Sequence, residues 1–437
     1  MLFYSTQHKS SPVSLREAVL QSMPDDGGLY MPQKIEKLPN NWLYDALNWS
    51  FQELSVNLAK HLLQDSIPAK ALEEIVVQAI NFEAPLIRLG NGNISILELF
   101  HGPSLAFKDF GARFMAQLMA YFVKDESQEL NILVATSGDT GGAVAMGFWN
   151  KPGIRVRILY PSGRVSELQE KQLTTLGGNI EAFEIDGSFD DCQRMVKQAF
   201  LDKDLQQKLK MSSANSINIS RLIPQTFYYF RAWQQLMQQK PNATDWSFSI
   251  PSGNFGNIAA GLIAKHIGLP AFHCIAATNI NDVVPHYVQT GVFEPRHSVR
   301  TLSSAMDVGN PSNFVRILDL YRNDYAQIKN DMPAYGFTDA QTRQAMLSLF
   351  DLQQYVACPH TAVGFLGAQV HLRHYPQHEV VCLSTAHPAK FASLVNQTLE
   401  TEIPIPEELQ EIMDKPKHAI HLNPDFDSFK MYLMDNQ

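Results

Sequence analysis

Lys108 is the side chain whose surroundings first point to chemistry. It follows Leu105, Ala106 and Phe107 and leads into an apolar helical stretch within HGPSLAFKDFGARFMAQLMAYF, residues 101 to 122. A lysine there can run its alkyl stem along the apolar surface and leave the ammonium in water. It can also be an amine partly withdrawn from water, with a lowered pKa and a nitrogen ready to attack a carbonyl carbon. A second candidate is GNFGN at 253 to 257, between a strand pattern and a helix pattern. Its glycines allow close backbone approach to an anion, and unpaired amides at a helix start donate to phosphate oxygens. An ordinary glycine-rich connection has the same spelling. A third is TSGDTGG at 136 to 142, where Thr136, Ser137 and Thr140 either hold a carboxylate with the loop amides or cap the next helix. Asp139 within that loop is an acid beside a candidate carboxylate site, so its charge needs a purpose.

These loops need elements to carry them, and the chain supplies a repeated pattern: a short β-branched run, a turn of small residues, then a helical stretch. NILVATSGDTGGAVAMGFWN at 131 to 150, FSIPSGNFGNIAAGLIAK at 248 to 265 and VVCLSTAHPAKFASLVNQTL at 380 to 399 all follow it. Further strands are expected at 154–161, 179–186 and 272–278. This is the grammar of parallel α/β structure, in which ligands bind beyond the C-terminal ends of the strands. LIRLGNGNISILELF, from 86 to 100, reads as a hairpin turned at Asn91 and Gly92. The first hundred residues carry helical patterns, LREAVLQSM and ALEEIVVQAI, separated by loops.

Composition sets the limits. At 437 residues the chain has room for two or three domains. Lys plus Arg total 35 against 44 Asp plus Glu, a net charge of −9, which argues against a general footprint for nucleic acid or an anionic membrane. Any anionic ligand must meet a local cluster of positive groups. With 45% hydrophobic and 18% charged residues the chain can bury a core. Cys192, Cys274, Cys358 and Cys382 lack CxxC or regular spacing, so neither a metal site nor a disulfide framework is expected. No leader pattern or long apolar run is present, and a cytoplasmic protein is expected. There is no GxGxxG and no GxxxxGK[ST], which removes the main support for dinucleotide or P-loop nucleotide binding.

Six ordered motifs, HGPSLAFKDFG, ATSGDTGGA, SGNFGN, MDVGNPSNF at 306–314, PHTAVG at 359–364 and STAHPAKF at 384–391, resemble the threonine synthase family. YST at 4–6, EAVL at 17–20 and DGGLYMP at 26–32 resemble its long bacterial and fungal form. The resemblance implies a pyridoxal 5′-phosphate-dependent enzyme with the fold of the tryptophan synthase β subunit, fold type II. The family converts O-phospho-L-homoserine and water into L-threonine and phosphate. It implies that Lys108 bonds the cofactor carbonyl, that Gly253, Asn254, Phe255, Gly256 and Asn257 receive the cofactor phosphate, and that Thr385 stands by the pyridine nitrogen. Thr136, Ser137, Asp139 and Thr140 would face the substrate carboxylate and the cofactor's phenolic oxygen. A substrate with its own phosphate requires a second anion site, for which Ser162, Arg164 and Lys171 in SGRVSELQEKQL and Asn218 and Arg221 in NSINISRLIPQ are the candidates. Each of these charges is equally a candidate for a solvated surface group or helix-end partner. His360 and His387 are expected to be structural, hydrogen-bonding histidines. The rival readings are a phospholyase or hydroxy-amino-acid dehydratase on the same fold, or a non-catalytic protein that retains it. The expected organisation is an N-terminal α/β region (1–95), a larger cofactor-binding domain (96–131 with 223–437) and a smaller domain (132–222), as a monomer or homodimer.

Overall fold

The computed structural model describes residues 1–90, 92–136 and 138–436, so one residue of the expected turn, Asn91, and one candidate site residue, Ser137, lie outside the described residues. Three sheets organise the chain. The six-stranded sheet runs, in spatial order, Ala334–Gly336, Cys274–Thr278, Trp246–Pro251, Glu379–Ser384, Ile94–Glu98 and Leu86–Arg88. All its neighbours are parallel except the last pair, where Leu86 faces Leu97 in the antiparallel arrangement expected of a hairpin. The five-stranded sheet is wholly parallel: Ile420–Leu422, Ile180–Ile185, Ile154–Pro161, Leu130–Ala135 and Lys210–Ser213. A small antiparallel sheet joins Leu2–Ser5 to Val13–Ser14 and Tyr30–Pro32.

The central strands are buried along their whole length because helices cover both faces of a parallel sheet. Every residue of Leu130–Ala135, Trp246–Pro251 and Glu379–Ser384 is buried. The helix Lys108–Val123 is buried through Phe110, Phe114, Met115 and Leu118, each removed from water at a gain of roughly 1.5–3 kcal/mol. It packs directly on the helix Asp139–Phe148, where a Cβ on Gly147 would lie 3.1 Å from the Ala112 carbonyl carbon. That contact brings Lys108 and Asp139, at the starts of the two helices, to the same end of the molecule.

Two segments depart from the expected boundaries. Leu86–Arg88 and the start of Ile94–Glu98, expected in the N-terminal region, form the edge of the six-stranded sheet. Ile420–Leu422, expected with the larger sheet, instead pairs with Ile180–Ile185 in the smaller one. The reason is coverage: an open sheet edge needs a partner, and Phe429 and Leu433 of the helix Phe426–Asp435 are buried there, with Phe429 packing edge-on against Phe183.

Candidate active site

The two large sheets present the C-terminal ends of their strands to one region. Phe107 donates its amide to the Thr385 carbonyl at 2.9 Å, and Ala106 bridges to Ala386, so Lys108 sits beside the end of the strand Glu379–Ser384. Leu105 holds a left-handed φ of 54°, an uncommon conformation for a branched residue, and its carbonyl is fixed by the His387 amide. On the neighbouring strand, Trp246–Pro251, the loop Ser252–Phe255 opens the helix Gly256–Ile267 through a left-handed Phe255. A Cβ on Gly253 would lie 2.7 Å from the Met306 Cα, so only glycine lets these two backbones approach.

Within that loop the backbone N–H groups from Gly253 to Asn257 have no acceptor within the described protein. Asn254 uses its side chain to hold Ser216 and Ser312, fixing the loop from outside. Asn257 accepts from the Tyr228 and Tyr229 hydroxyls at 2.5 and 2.8 Å, while its Nδ2 is buried without a partner. Free amides and an orphaned amide donor at a helix N-terminus form an anion cradle.

Among the described residues Lys108 Nζ makes no hydrogen bond, and its nearest charged partner is Asp139 Oδ2 at 3.8 Å. Burial pushes its pKa down, Asp139 pulls it up, and Lys390 and Arg221 push it down again, leaving it below the usual lysine value. Asp139 is held from its other oxygen by Lys390 Nζ at 2.9 Å and Gln169 Nε2 at 3.0 Å. Burial alone would raise the Asp139 pKa, but Lys390 and Lys108 outweigh it and keep the carboxyl well below the ordinary range. Gln169 reaches it because Ser166 and Gln169 form the capping box of the helix Glu167–Thr174, which spends the Gln169 oxygen on the Ser166 amide and leaves the nitrogen free. Next to Lys108, Asp109 is fully buried with one oxygen on the Ser104 amide and the other without a partner; burial raises its pKa to about 6.

The structure brings some expected residues together and separates others. Lys108, Asp139, Thr385 and the loop from Gly253 to Asn257 share the sheet ends. Thr385 is buried, and its hydroxyl has no partner among the described residues. Thr136 accepts from the Gly138 and Gly141 amides at 3.0 and 2.8 Å, which is the capping role, while Thr140 is half-buried and its hydroxyl has no partner among the described residues. Of the second set of anion candidates, Arg221 is buried against Gly111, one turn from Lys108, with its Nε unpartnered and its pKa lowered to about 10 by burial. Arg164 is exposed, with no side-chain partner among the described residues. Ser162 donates to Glu184 at 2.6 Å, and Lys171 donates to the Lys415 carbonyl at 2.6 Å, on the side of its helix opposite Gln169 and Gln172. Asn218 is saturated by Val19, Ser22 and Ser220, so its amide serves the fold. His360 accepts from the Ala305 amide and His387 from the Ala389 amide, as expected of structural, hydrogen-bonding histidines, and burial lowers both pKa values to about 4, which keeps them neutral.

Lys390, Gln169 and Asp109 are the residues that sequence reasoning missed. Lys390 did carry a signal: it is the only Asp, Glu, Lys or Arg between Glu379 and Glu400. The assembled donor set is an amine without a hydrogen bond among the described residues, an anion cradle and a neutral hydroxyl on adjacent strand ends. It fits an aromatic aldehyde that bears a phosphate, with Lys108 for the carbonyl carbon, Asn257 and the loop amides for the phosphate and Thr385 for a ring nitrogen. Among the described residues no group of three or more His, Cys, Asp or Glu is placed to hold a metal ion, and no helix is long and apolar enough to cross a membrane.

Comparison with known proteins shows the family and its cofactor dependence. Residues 79–386 match the family described as "Pyridoxal-phosphate dependent enzyme", 2–80 match "Threonine synthase N terminus", and 361–433 match "Threonine synthase, C-terminal". The threonine synthase of Escherichia coli (strain K12) is 42% identical over 437 residues, covering 100% of both chains, and that of Eremothecium gossypii is 34% identical, covering 98% of this chain and 96% of that one. The crystal structure of the Escherichia coli enzyme superposes with a TM-score of 0.91 and 100% coverage of both chains. A PLP-bound threonine synthase from Brucella melitensis superposes with a TM-score of 0.93 at 32% identity, covering 100% of this chain and 99% of that one. Maize serine racemase, at 15% identity and a TM-score of 0.55, shares the fold alone. The expected fold type II architecture and pyridoxal phosphate dependence therefore hold, and the chain belongs to the threonine synthase family.

Proposed function

We propose that the chain converts O-phospho-L-homoserine and water into L-threonine and phosphate, the last step of threonine biosynthesis. The observation that carries this reading is Lys108: among the described residues, an amine without a hydrogen bond, 3.8 Å from a carboxylate, on the same sheet end as five backbone amides that lack acceptors. Bound pyridoxal 5′-phosphate supplies an electron sink for the pair left when a proton is removed beside the substrate nitrogen. Lys108 Nζ is the base for the Cα proton and then for a Cβ proton, whose electron pair expels phosphate from Cγ, and it returns a proton to Cγ. Water then adds at Cβ, and a proton goes back to Cα. Asp139 and Lys390 fix the electrostatics around that nitrogen, and Arg221 and Arg164 supply positive charge toward the leaving phosphate. Thr385, a neutral hydroxyl, accepts or donates at the ring nitrogen without forcing a charge there. The four cysteines are free and buried, which supports a reducing compartment, and we assign the protein to the cytoplasm.

The test is product identification after incubation with pyridoxal 5′-phosphate and O-phospho-L-homoserine. Threonine with phosphate in equal amounts is expected. 2-Oxobutyrate with phosphate would instead assign a phospholyase on the same fold.

A further inference from the structure

The family resemblance gives Lys390, within STAHPAKF, no role of its own, yet it is the most completely buried lysine at the site. Its side chain is 0% exposed, against 17% for Lys108. It projects from the short 3-10 helix Pro388–Phe391, immediately after the strand that ends beside Thr385. Its Nζ has two fixed partners: Asp139 Oδ1 at 2.9 Å and the Ser104 carbonyl at 2.8 Å. Asp139 heads a helix that follows a strand of the five-stranded sheet, whereas Ser104 lies four residues before Lys108 in the loop that delivers it. One buried ammonium thus ties together three segments that converge on the reacting amine.

The geometry is also unequal. Asp139 gives its close contact, a hydrogen-bonded ion pair, to Lys390, and presents its other oxygen to Lys108 from 3.8 Å. One carboxylate between two ammonium groups neutralises only one of them, and the hydrogen-bonded, fully desolvated pair holds the charge more tightly. We propose that Lys390 is a positioning residue: it satisfies Asp139, turns the free Asp139 oxygen toward Lys108, and leaves Lys108 without the full countercharge that would keep its proton. The inference deepens the proposed function and rests on it only for the identity of the reaction. Other titratable groups face the cluster. His360 and Cys358 lie toward Asp139, Arg221 toward Lys108, and Asp109 and His387 toward Lys390. His360 is an acceptor for a backbone amide and stays neutral, and burial raises the Cys358 thiol, so neither supplies the missing charge near pH 7.

The test uses the full-length chain freed of cofactor. The rate at which added pyridoxal 5′-phosphate develops visible absorbance reports the unprotonated fraction of Lys108, and its pH midpoint is read without substrate. Lys390→Met removes the competing cation, so Asp139 pairs with Lys108. The midpoint should move up by about one pH unit and the rate at pH 7 should fall about tenfold. Asp139→Asn removes the countercharge and leaves two cations, so its midpoint should move down. These opposite signs separate electrostatic positioning from a structural role, because simple loosening of the site admits water and moves both variants upward. Lys390→Gln keeps a donor for the Ser104 carbonyl and covers the case in which the methionine variant does not fold; it should shift upward like Lys390→Met. A midpoint in Lys390→Gln equal to that of the parent chain, or the same direction of shift in the Lys390 and Asp139 variants, overturns the proposal. Failure to form threonine with normal midpoint shifts would overturn the proposed reaction and leave the role of Lys390 standing.

Discussion

Asp109 is the most informative single residue for the electrostatics of this site, because its carboxyl is fully buried, half-satisfied and adjacent to Lys108. Burial holds its pKa near 6 in the folded chain, against 3.8 for the unperturbed group. The folded state therefore keeps a proton that the unfolded chain has already released, so stability falls as pH rises from about 4 to about 6. The full cost is about 3 kcal/mol, of which about 1.4 kcal/mol develops between pH 5 and pH 7.5. Asp109→Asn cannot titrate, retains an oxygen for the Ser104 amide, and carries a pH-independent offset from its new amide group. Comparing the variant with the parent chain at two pH values cancels that offset. With an unfolding entropy of roughly 0.9 kcal/mol/K for a chain of this length, the melting temperature of Asp109→Asn should gain about 1.5 °C on the parent between pH 5 and pH 7.5. Calorimetry of both cofactor-free proteins at the two pH values measures it. A gap that stays flat, or that narrows as pH rises, refutes the reasoning and places the Asp109 pKa near its ordinary value.

Other consequences are equally direct. A Cβ on Gly261 would lie 2.7 Å from the ring of Tyr229, whose hydroxyl holds Asn257. Gly261→Ala should therefore weaken pyridoxal phosphate binding about tenfold, within the cost of a modest overpacking, as measured by fluorescence titration. Arg221→Met should raise the KM for O-phospho-L-homoserine at least tenfold with cofactor affinity changed less than threefold, and Lys171→Ala should leave both within twofold; steady-state kinetics with cofactor titration decide both. Thr385→Asp places a carboxylate where the chain has a neutral hydroxyl and should divert product from threonine toward 2-oxobutyrate, and an unchanged product ratio counts against the neutral-partner argument. Finally, burial holds His273 and His371 neutral with pKa values of about 4 and 3, alongside His360 and His387 at about 4. The unfolded chain binds these protons first, so stability should decline as pH falls below 6.5, at up to about 1.4 kcal/mol per pH unit for each histidine. A melting temperature constant from pH 6.5 to pH 5 contradicts that assignment.

What was legible in the sequence follows from what a local pattern can encode. Leu130–Ala135 is buried on both faces, so its mostly apolar run announces a parallel strand; Trp246–Pro251, equally buried, sets only small serines between its apolar residues, and the small residues after each mark the loops at the strand ends. Lys108 stood out because it follows the apolar Leu105, Ala106 and Phe107 and leads into a mostly apolar helix. Ile420–Leu422 did not, since three residues carry no periodicity and its place comes from an edge left open by Ile180–Ile185. The polar residues divide by the same logic. Asn218 and Asn257 both stand at helix starts in similar stretches. Asn218 meets the Val19 carbonyl and Ser22 from the N-terminal region and is saturated, whereas Asn257 meets two tyrosine hydroxyls that occupy only its oxygen and leave its nitrogen free. Lys390 is the extreme case, because its carboxylate partner lies some 250 residues earlier on the helix of another sheet. A charged side chain's role is fixed by the groups it meets, and in a parallel α/β protein those groups arrive from distant segments through crossover connections. Motif order across the whole chain carries that long-range information indirectly, which is why six weak loops read together located the site while no one loop did.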